Sequence, residues 1–288
     1  MCLYEEAHGV DASHPIFQGP FPVTLTLHDM ATPAHYRRHP DGQQLGDTMP
    51  AWNVVRGKAG RYVGVVADGY GFEDSPDAEW IASGRNSKNA RAAALARQGN
   101  FFHWGFAASP PEMTDEAQTV FLNTMVYMRR FAGQRPLAVG KGRSREWLSV
   151  YLASPDGLSD YTKKEMPAAW REAAGDDLSK LRQLCAAELG FVHQVDGHWQ
   201  VDADCKALGL DNRLAASLRA CAELLRDDTL RAAASRVLER YTGQHFAGAD
   251  DWQHWLTDAG ERLFHSDVIG HFAVAPADCA APHRARSD

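Results

Sequence analysis

The chain changes character part-way along its length, near the segment AGQRPLAVGKGRS at 132–144. Residues 1–135 are rich in Gly and Pro and contain short β-like runs, whereas residues 144–262 follow a helical periodicity. A shift of this kind is typical of a boundary between domains. The sequence therefore predicts an α/β domain over 1–135 followed by a mainly α-helical domain over 136–288.

The first part contains three segments with strand character. FPVTLTL (21–27) alternates as a half-buried strand does, and RYVGVVADG (61–69) is a β-branched run that ends in a Gly turn. AAALARQGNFFHWGF (92–106) predicts two strands joined by a short turn. A strand followed directly by a helix is typical of α/β domains, and the helix is predicted at 115–130 with Thr114 as its N-cap. The predicted apolar stripe of this helix is Ala117, Val120, Phe121, Met125 and Met128.

The second part predicts helices interrupted by one small β-hairpin. FVHQVDGHWQV (191–201) has Asp196-Gly197 between two alternating arms, which is a strong hairpin signal. Two apolar helical stripes follow on either side of Asp227-Asp228, and they predict an antiparallel helical hairpin of the size used in α-solenoid repeats. The core of that pair is predicted to contain Leu214, Leu218, Leu225, Leu230, Val237 and Leu238.

Charge and cysteine content limit the classes of partner. The 37 acidic side chains outnumber the 30 basic ones and are spread along the 288 residues, so no nucleic-acid-binding surface is predicted. No apolar run approaches the ~20 residues of a membrane span, and the N-terminus has no apolar signal-peptide core. Five widely spaced cysteines indicate reduced thiols. We therefore expect no membrane partner and a cytoplasmic location for the chain as given, and export of a longer parent chain stays open.

No metal or cofactor site is predicted. The acidic segment from Glu73 to Glu79 could hold a hard cation, but its spacing fits no known loop, which favours a solvated loop with helix-capping acids. His193, His198 and Cys205 could approach one another around the hairpin, yet the stretch offers no plain fourth zinc ligand.

Two segments of the first part resemble a known family. ARQGNFFHWGFAASPPEMTDEAQTVFLNTMVYM (96–128) resembles the closing strands and last helix of ThuA-like, class I glutamine amidotransferase-like domains, and HPIFQGPF (14–21) is similar to a segment that precedes a mid-domain strand in that group. The resemblance covers about residues 10–132 and implies a flavodoxin-like fold. The later segment VLERYTGQHFAGADDWQHWL (237–256) is similar to the ends of helical modules, some of them HEAT-like.

The chain departs from the ThuA-like pattern in two ways. Only about a dozen residues precede the HP segment, so we expect the C-terminal half of the domain alone, with a partial flavodoxin-like sheet. The family's Gly-His turn aligns with Gly105-Phe106, which carries no imidazole, and the Cys-His-Glu set of true amidotransferases has no counterpart. The sheet is therefore expected to leave an edge or an apolar face open for self-association or for a protein partner.

The stretch NFFHWGF (100–106) supplies the first candidate site residues. Side chains alternate along a strand, so His103 and Trp104 lie on opposite faces. We expect His103 to be mostly buried beside the helix at 115–130. The alternative is a ligand-facing role for His103 or Trp104 near the end of the strand, where open α/β sheets bind ligands.

Asp68 and Tyr70 follow the predicted strand at 61–67 and are candidates of the same kind. The sequence thus predicts a non-catalytic or vestigial ThuA-like module fused to a helical interaction domain, with a binding or scaffold role. The alternative is a small-molecule or carbohydrate-processing enzyme that uses Asp68, Tyr70 and His103, which would bind a small-molecule ligand.

Overall fold

A computed structural model describes residues 2–57, 60–154 and 157–279. The chain forms two compact units, which divide after Leu137; the second unit is Ala138–Asp278. It is a mixed α/β protein, with a six-stranded antiparallel sheet and eleven α-helices within the described residues. None of the described helices has the length and apolarity needed to cross a bilayer.

The first unit is built on the six-stranded sheet. Its strand order is β2-β3-β1-β4-β5-β6, so β2 and β6 form the two edges. All five pairings are antiparallel, with Ala7 opposite Trp52 and Glu79 opposite Arg97. The strands are β1 Leu3–His8, β2 Leu27–Ala31, β3 Thr48–Asn53, β4 Ala78–Asn86, β5 Ala93–Gln98 and β6 Phe101–Trp104.

The parallel, flavodoxin-like sheet implied by the family resemblance is not confirmed. β5 and β6 are separated only by Gly99 and Asn100, and a two-residue connection can join only antiparallel neighbours. The predicted strand at 61–67 is not one of the six named strands. Its residues form isolated bridges with β1, with β5 and with Phe106 after β6, through the pairs Leu3–Gly64, Ala67–Ala93 and Gly64–Phe106.

The predicted strand at 21–27 is also largely absent from the sheet, because regular pairing begins only at Leu27. Residues 22–26 lack strand structure, although Val23 and Leu25 still pack against the core. Leu27 lies on an edge strand and is about half exposed. The alternation in this segment therefore reflects contact with the core rather than a ladder of hydrogen bonds.

The described residues of the first unit form three α-helices: α1 Pro15–Gln18, α2 Pro40–Gln43 and α3 Asp115–Met128. Thr114 caps α3 as predicted, since its hydroxyl accepts a hydrogen bond from the Ala117 amide at 3.2 Å. The predicted apolar stripe is only partly right, because Met125 is exposed. The buried positions of α3 are Ala117, Val120, Asn123, Thr124 and Tyr127.

The polar residues on the buried side of α3 have partners there. The Asn123 amide donates to the carbonyls of Ile16 and Phe21, at 2.8 Å each, and its side-chain oxygen accepts from the Phe21 amide at 3.0 Å. A buried amide is tolerated when its hydrogen bonds are made. These contacts fix the orientation of α3 against the segment that contains α1, and hydrophobicity alone did not predict it.

The second unit is mainly helical and contains two β-hairpins. Its helices are α4 Glu146–Ala153, α5 Asp160–Glu165, α6 Ala168–Ala174, α7 Leu178–Glu188, α8 Ala203–Leu208, α9 Ala215–Leu224, α10 Arg231–Thr242 and α11 Ala249–Ala259. Its strands pair as β7 Val192–Val195 with β8 His198–Val201, and as β9 Leu263–Ser266 with β10 His271–Val274.

The first of these hairpins confirms the prediction from Asp196-Gly197. Both residues have positive φ, 51° and 79°, as a tight hairpin turn requires. The helices α9 and α10 share one core through Leu218, Val237 and Leu238, but HEAT-like stacking is not confirmed. Leu214 is about half exposed because it occupies the N-cap position of α9, so its assignment to that core was wrong.

Candidate functional site

The two candidate residues on β6 face in opposite directions. The Trp104 ring packs edge-on against Phe121 of α3, with 5.0 Å between ring centroids, and also contacts Phe106. Because side chains alternate along a strand, His103 lies on the other side of β6. The expectation that His103 packs beside α3 is therefore wrong, and Trp104 takes that position.

His103 is half-buried at the sheet edge. Burial lowers the pKa of its imidazole, while the backbone carbonyls of Val65 and Ala93 oppose part of that shift. Its Nε2 atom is buried and makes no hydrogen bond within the described part of the chain. The ring is thus neutral at neutral pH and has one nitrogen that is not engaged by the protein.

Asp68 and Tyr70 are held by a different set of neighbours. The Tyr70 amide donates to the Asp68 carboxylate at 3.1 Å, and the Tyr70 hydroxyl donates to the carboxylate of Asp41. Burial first, and then this hydrogen bond and charge, raise the pKa of Tyr70. The Arg91 guanidinium also lies 5.6 Å from the Tyr70 ring centroid. Asp68 therefore stabilises a local turn, and the Tyr70 hydroxyl is a buried donor.

The strongest constellation of charged groups lies elsewhere, between the sheet and α3. Glu79 on β4 stands directly opposite Arg97 on β5, and the Arg97 Nε donates to Glu79 Oε2 at 2.6 Å. The Tyr127 hydroxyl lies within 3.0 Å of both Glu79 oxygens, and His14 Nε2 lies 3.3 Å from Oε2. We call His14, Glu79, Arg97 and Tyr127 the buried charge network.

The surroundings of the network fix the roles of its members. His14 Nδ1 accepts a hydrogen bond from the Ile16 amide, so the proton of a neutral His14 is on Nε2 and points to Glu79. Arg97 Nη1 donates to the Gly99 carbonyl at 2.8 Å, and the guanidinium carbon lies 3.7 Å from the centroid of the Phe131 ring. Two members, His14 and Arg97, thus have hydrogen-bond partners besides Glu79.

The network is closed to solvent. The side chains of His14, Glu79 and Arg97 are each 0% exposed. Burial, followed by the charge of Glu79, raises the pKa of Tyr127 and keeps its hydroxyl a donor. Arg97 Nη2 is buried and has no hydrogen-bond partner among the described residues. The residue types would suit acid–base chemistry, but the other hydrogen bonds of the network are made within the protein.

Sequence reasoning did not predict this network. Glu79 and Asp77 were assigned to a solvated loop, and both are buried; Asp77 accepts a hydrogen bond from the Leu137 amide at 3.0 Å. Arg97 also stabilises the turn after β5 through its hydrogen bond to the Gly99 carbonyl. The available signal was the presence of charged residues at inward-facing strand positions.

Two of the clefts formed by the described residues lie on the first unit, and none of Asp68, Tyr70, His103 and Trp104 lines either of them. The larger, of about 420 Å³, lies beside the start of α3 and is lined by Thr26, His28, Trp52, Asn53, Arg56, Thr114, Asp115 and Glu116. The second, of about 230 Å³, is lined by Val55, Arg61, Tyr62, Val63, Ala107, Ala108 and Glu112.

Several polar side chains of the larger cleft are engaged by the protein. Glu116 accepts hydrogen bonds from Thr26 and from the Trp52 indole, and His28 Nε2 lies 3.0 Å from Glu6. Across the described residues, no three His, Cys, Asp or Glu side chains are grouped as a metal site would require.

The second unit has a buried ion pair of its own. The Arg145 guanidinium is buried and donates to both oxygens of Asp267. Its Nη1 donates to Asn212 at 2.6 Å. Arg145 is therefore part of the second unit's interior, whereas Arg143 remains half-exposed and pairs with Glu165.

Comparisons with protein-family models, with curated proteins and with solved structures gave no match.

Proposed function

We propose that this chain is a non-catalytic binding or scaffold protein, in which a vestigial ThuA-like unit precedes a helical interaction unit. One observation supports the proposal above the others. The HPIFQGPF and ARQGN segments carry the family resemblance. His14 of the first segment and Arg97 of the second both form hydrogen bonds within the buried charge network. Motif residues that satisfy one another in a closed interior have a structural role.

The ThuA-like and HEAT-like parts of this proposal depend on the quoted motifs alone. The motifs serve an antiparallel sheet in this chain, so an activity cannot be transferred from a parallel flavodoxin-like fold by analogy. The first unit exposes apolar surface to solvent. Most of the large apolar side chains that the described residues expose belong to it, which suits a contact with another macromolecule.

The enzyme alternative is a small-molecule or carbohydrate-processing activity that uses His103 with Asp68 and Tyr70. It is favoured by one feature, the buried Nε2 of His103, which no described residue engages. A neutral imidazole of this kind can accept a proton from a ligand. Tyr70 weakens the alternative because its hydroxyl already donates to Asp41.

A ligand screen with matched variants separates the two proposals. Thermal unfolding of the full chain would be followed with mono- and oligosaccharides, amides and nucleosides, for the wild type and for His103→Gln, Asp68→Asn and Tyr70→Phe. For a binding protein we expect no ligand-dependent stabilisation that requires these three side chains. A saturable shift in the wild type that all three variants lose would contradict the proposal and support the enzyme alternative.

A further inference from the structure

The outer side of α3 carries a cluster of exposed apolar side chains. Leu122, Met125 and Val126 are 51%, 50% and 47% exposed, and Phe21 beside them is 55% exposed. The three helical residues are spaced three and four apart, which places them on one side of the helix. We call these four residues the α3 outer face.

The backbone of Phe21 is held beside the helix. Its amide and its carbonyl are both hydrogen-bonded to the side chain of Asn123, which is buried in α3. Single exposed apolar residues are normal on protein surfaces, but a contiguous, rigidly positioned group marks a contact surface. Its position on α3 also makes it a continuous ridge, which another helix could pack against.

The two ends of α3 carry opposite charge. Asp115 begins the helix with an almost fully exposed carboxylate, and Arg129 follows its last residue, also exposed. Leu122 lies seven residues from each, or about 10 Å along the axis. Seven residues make about two turns, so Asp115, Leu122 and Arg129 lie along the same side of the helix.

We infer that the α3 outer face binds a second copy of this chain, with the two α3 helices antiparallel and a two-fold axis at Leu122. This inference rests on the proposed binding function and names its partner. The antiparallel arrangement places Asp115 of each copy opposite Arg129 of the other. One attractive ion pair then lies at each end of the apolar centre. A parallel arrangement would bring like charges together at both ends.

Arg56 partly offsets the negative charge at the start of α3. Its guanidinium pairs with Asp115 within the same chain, and both side chains are at least half exposed. An exposed pair of this kind contributes little on its own, so Asp115 can be shared between Arg56 and Arg129 of the second copy. A single helix face is smaller than the ~800 Å² per partner of a standard interface, so we expect a weak dimer that depends on concentration and on salt.

Sedimentation velocity of the full chain tests the inference, over about 1 to 200 µM protein at low and high salt. We expect a monomer–dimer equilibrium for the wild type. Leu122→Arg should raise the dissociation constant at least about tenfold, since it places two like charges at the two-fold axis. Leu214→Arg is the matched control: this leucine is equally exposed but lies in the second unit, so self-association should be unchanged.

A charge exchange tests the antiparallel geometry. Asp115→Lys and Arg129→Glu should each weaken self-association, because each homodimer then contains two repulsive pairs. An equal mixture of the two variants should recover dimer to near the wild-type level, because both pairs are attractive in the mixed species. Circular dichroism must first show that each variant is folded. A mixture that gains nothing would overturn the antiparallel arrangement.

Two further results would overturn the inference. One is a wild-type monomer at all concentrations. The other is a dimer that survives Leu122→Arg but is lost in Phe101→Arg, which would place the contact at the exposed edge strand β6. Neither result bears on the ligand screen with His103→Gln, Asp68→Asn and Tyr70→Phe, so failure of this inference is distinguishable from failure of the proposed function.

Discussion

Glu79→Gln is the most direct perturbation of the buried charge network. Glu79 Oε2 receives hydrogen bonds from Arg97 and from His14, while Oε1 receives one from Tyr127. A glutamine of the same shape has one oxygen and one NH₂ group in place of the two carboxylate oxygens. Its NH₂ group would therefore face a hydrogen-bond donor of the network instead of an acceptor. Arg97 would also keep its charge in a fully buried position without a counter-ion.

The expected cost follows from these contacts. The lost charge-assisted hydrogen bond alone is worth about 1.5–3 kcal/mol, and removing one partner of a buried ion pair typically costs about 3–5 kcal/mol. We therefore expect Glu79→Gln to lower the free energy of unfolding of the first unit by about 3–5 kcal/mol. Adding Arg97→Met should recover part of this loss, because the uncompensated charge is then gone.

Urea titration monitored by circular dichroism and tryptophan fluorescence measures the effect, and hydrogen exchange of the β4 and β5 amides assigns it to the first unit. Glu73→Gln is the control. The Glu73 carboxylate is half-exposed and 3.5 Å from Arg91, so its loss should change stability by no more than about 0.5 kcal/mol. Equal, small effects of the two substitutions would refute the claim that the network is structurally essential.

Other parts of the chain give further tests. Arg145→Met should destabilise the second unit by about 3–5 kcal/mol in a urea titration, because it leaves the buried Asp267 carboxylate unpaired, whereas Arg143→Ala should cost less than about 1 kcal/mol. Burial lowers the pKa of His8 to about 4, which is below its value in the unfolded chain. As the pH falls between these two values, the unfolded chain binds a proton that the folded chain does not. The free energy of unfolding therefore decreases, by at most about 1.4 kcal/mol per pH unit. Titrations at several pH values check this, and His8→Leu should make the slope shallower. Leu218→Ala should cost about 2–5 kcal/mol through the cavity it leaves, while exposed Arg219→Ala should be neutral in the same assay.

Features with local causes could be predicted from the sequence. The Thr114 cap of α3 depends on an amide three residues away, and the β7–β8 turn depends on two adjacent residues that tolerate positive φ. Such signals are complete within a few residues, so a single sequence contains them. The separation into a β-rich first part and a helical second part is of the same kind, because periodicity is a local property.

The sheet topology could not be predicted because its determinants are distant in sequence. The run at 61–67 has the composition of a buried strand, but a side chain at Gly64 would meet the Gly105 carbonyl oxygen, with only 2.0 Å left for a Cβ atom. Its amides and carbonyls are taken up by residues from different strands, including Leu3 and Ala93. Composition cannot distinguish this crossing segment from a regular strand.

The buried charge network was unpredictable for the same reason, since His14 and Glu79 are 65 residues apart. Its position explains why charged residues occur in these strands at all. Side chains alternate along a strand, so a slip of β4 by one residue against β5 would turn Glu79 to the other side of the sheet and leave Arg97 buried without its carboxylate. That penalty selects the observed register, in which Glu79 and Arg97 are directly opposed. The motif residues of this chain therefore specify how its strands align. Because the fold already uses these side chains, their presence alone does not indicate catalysis.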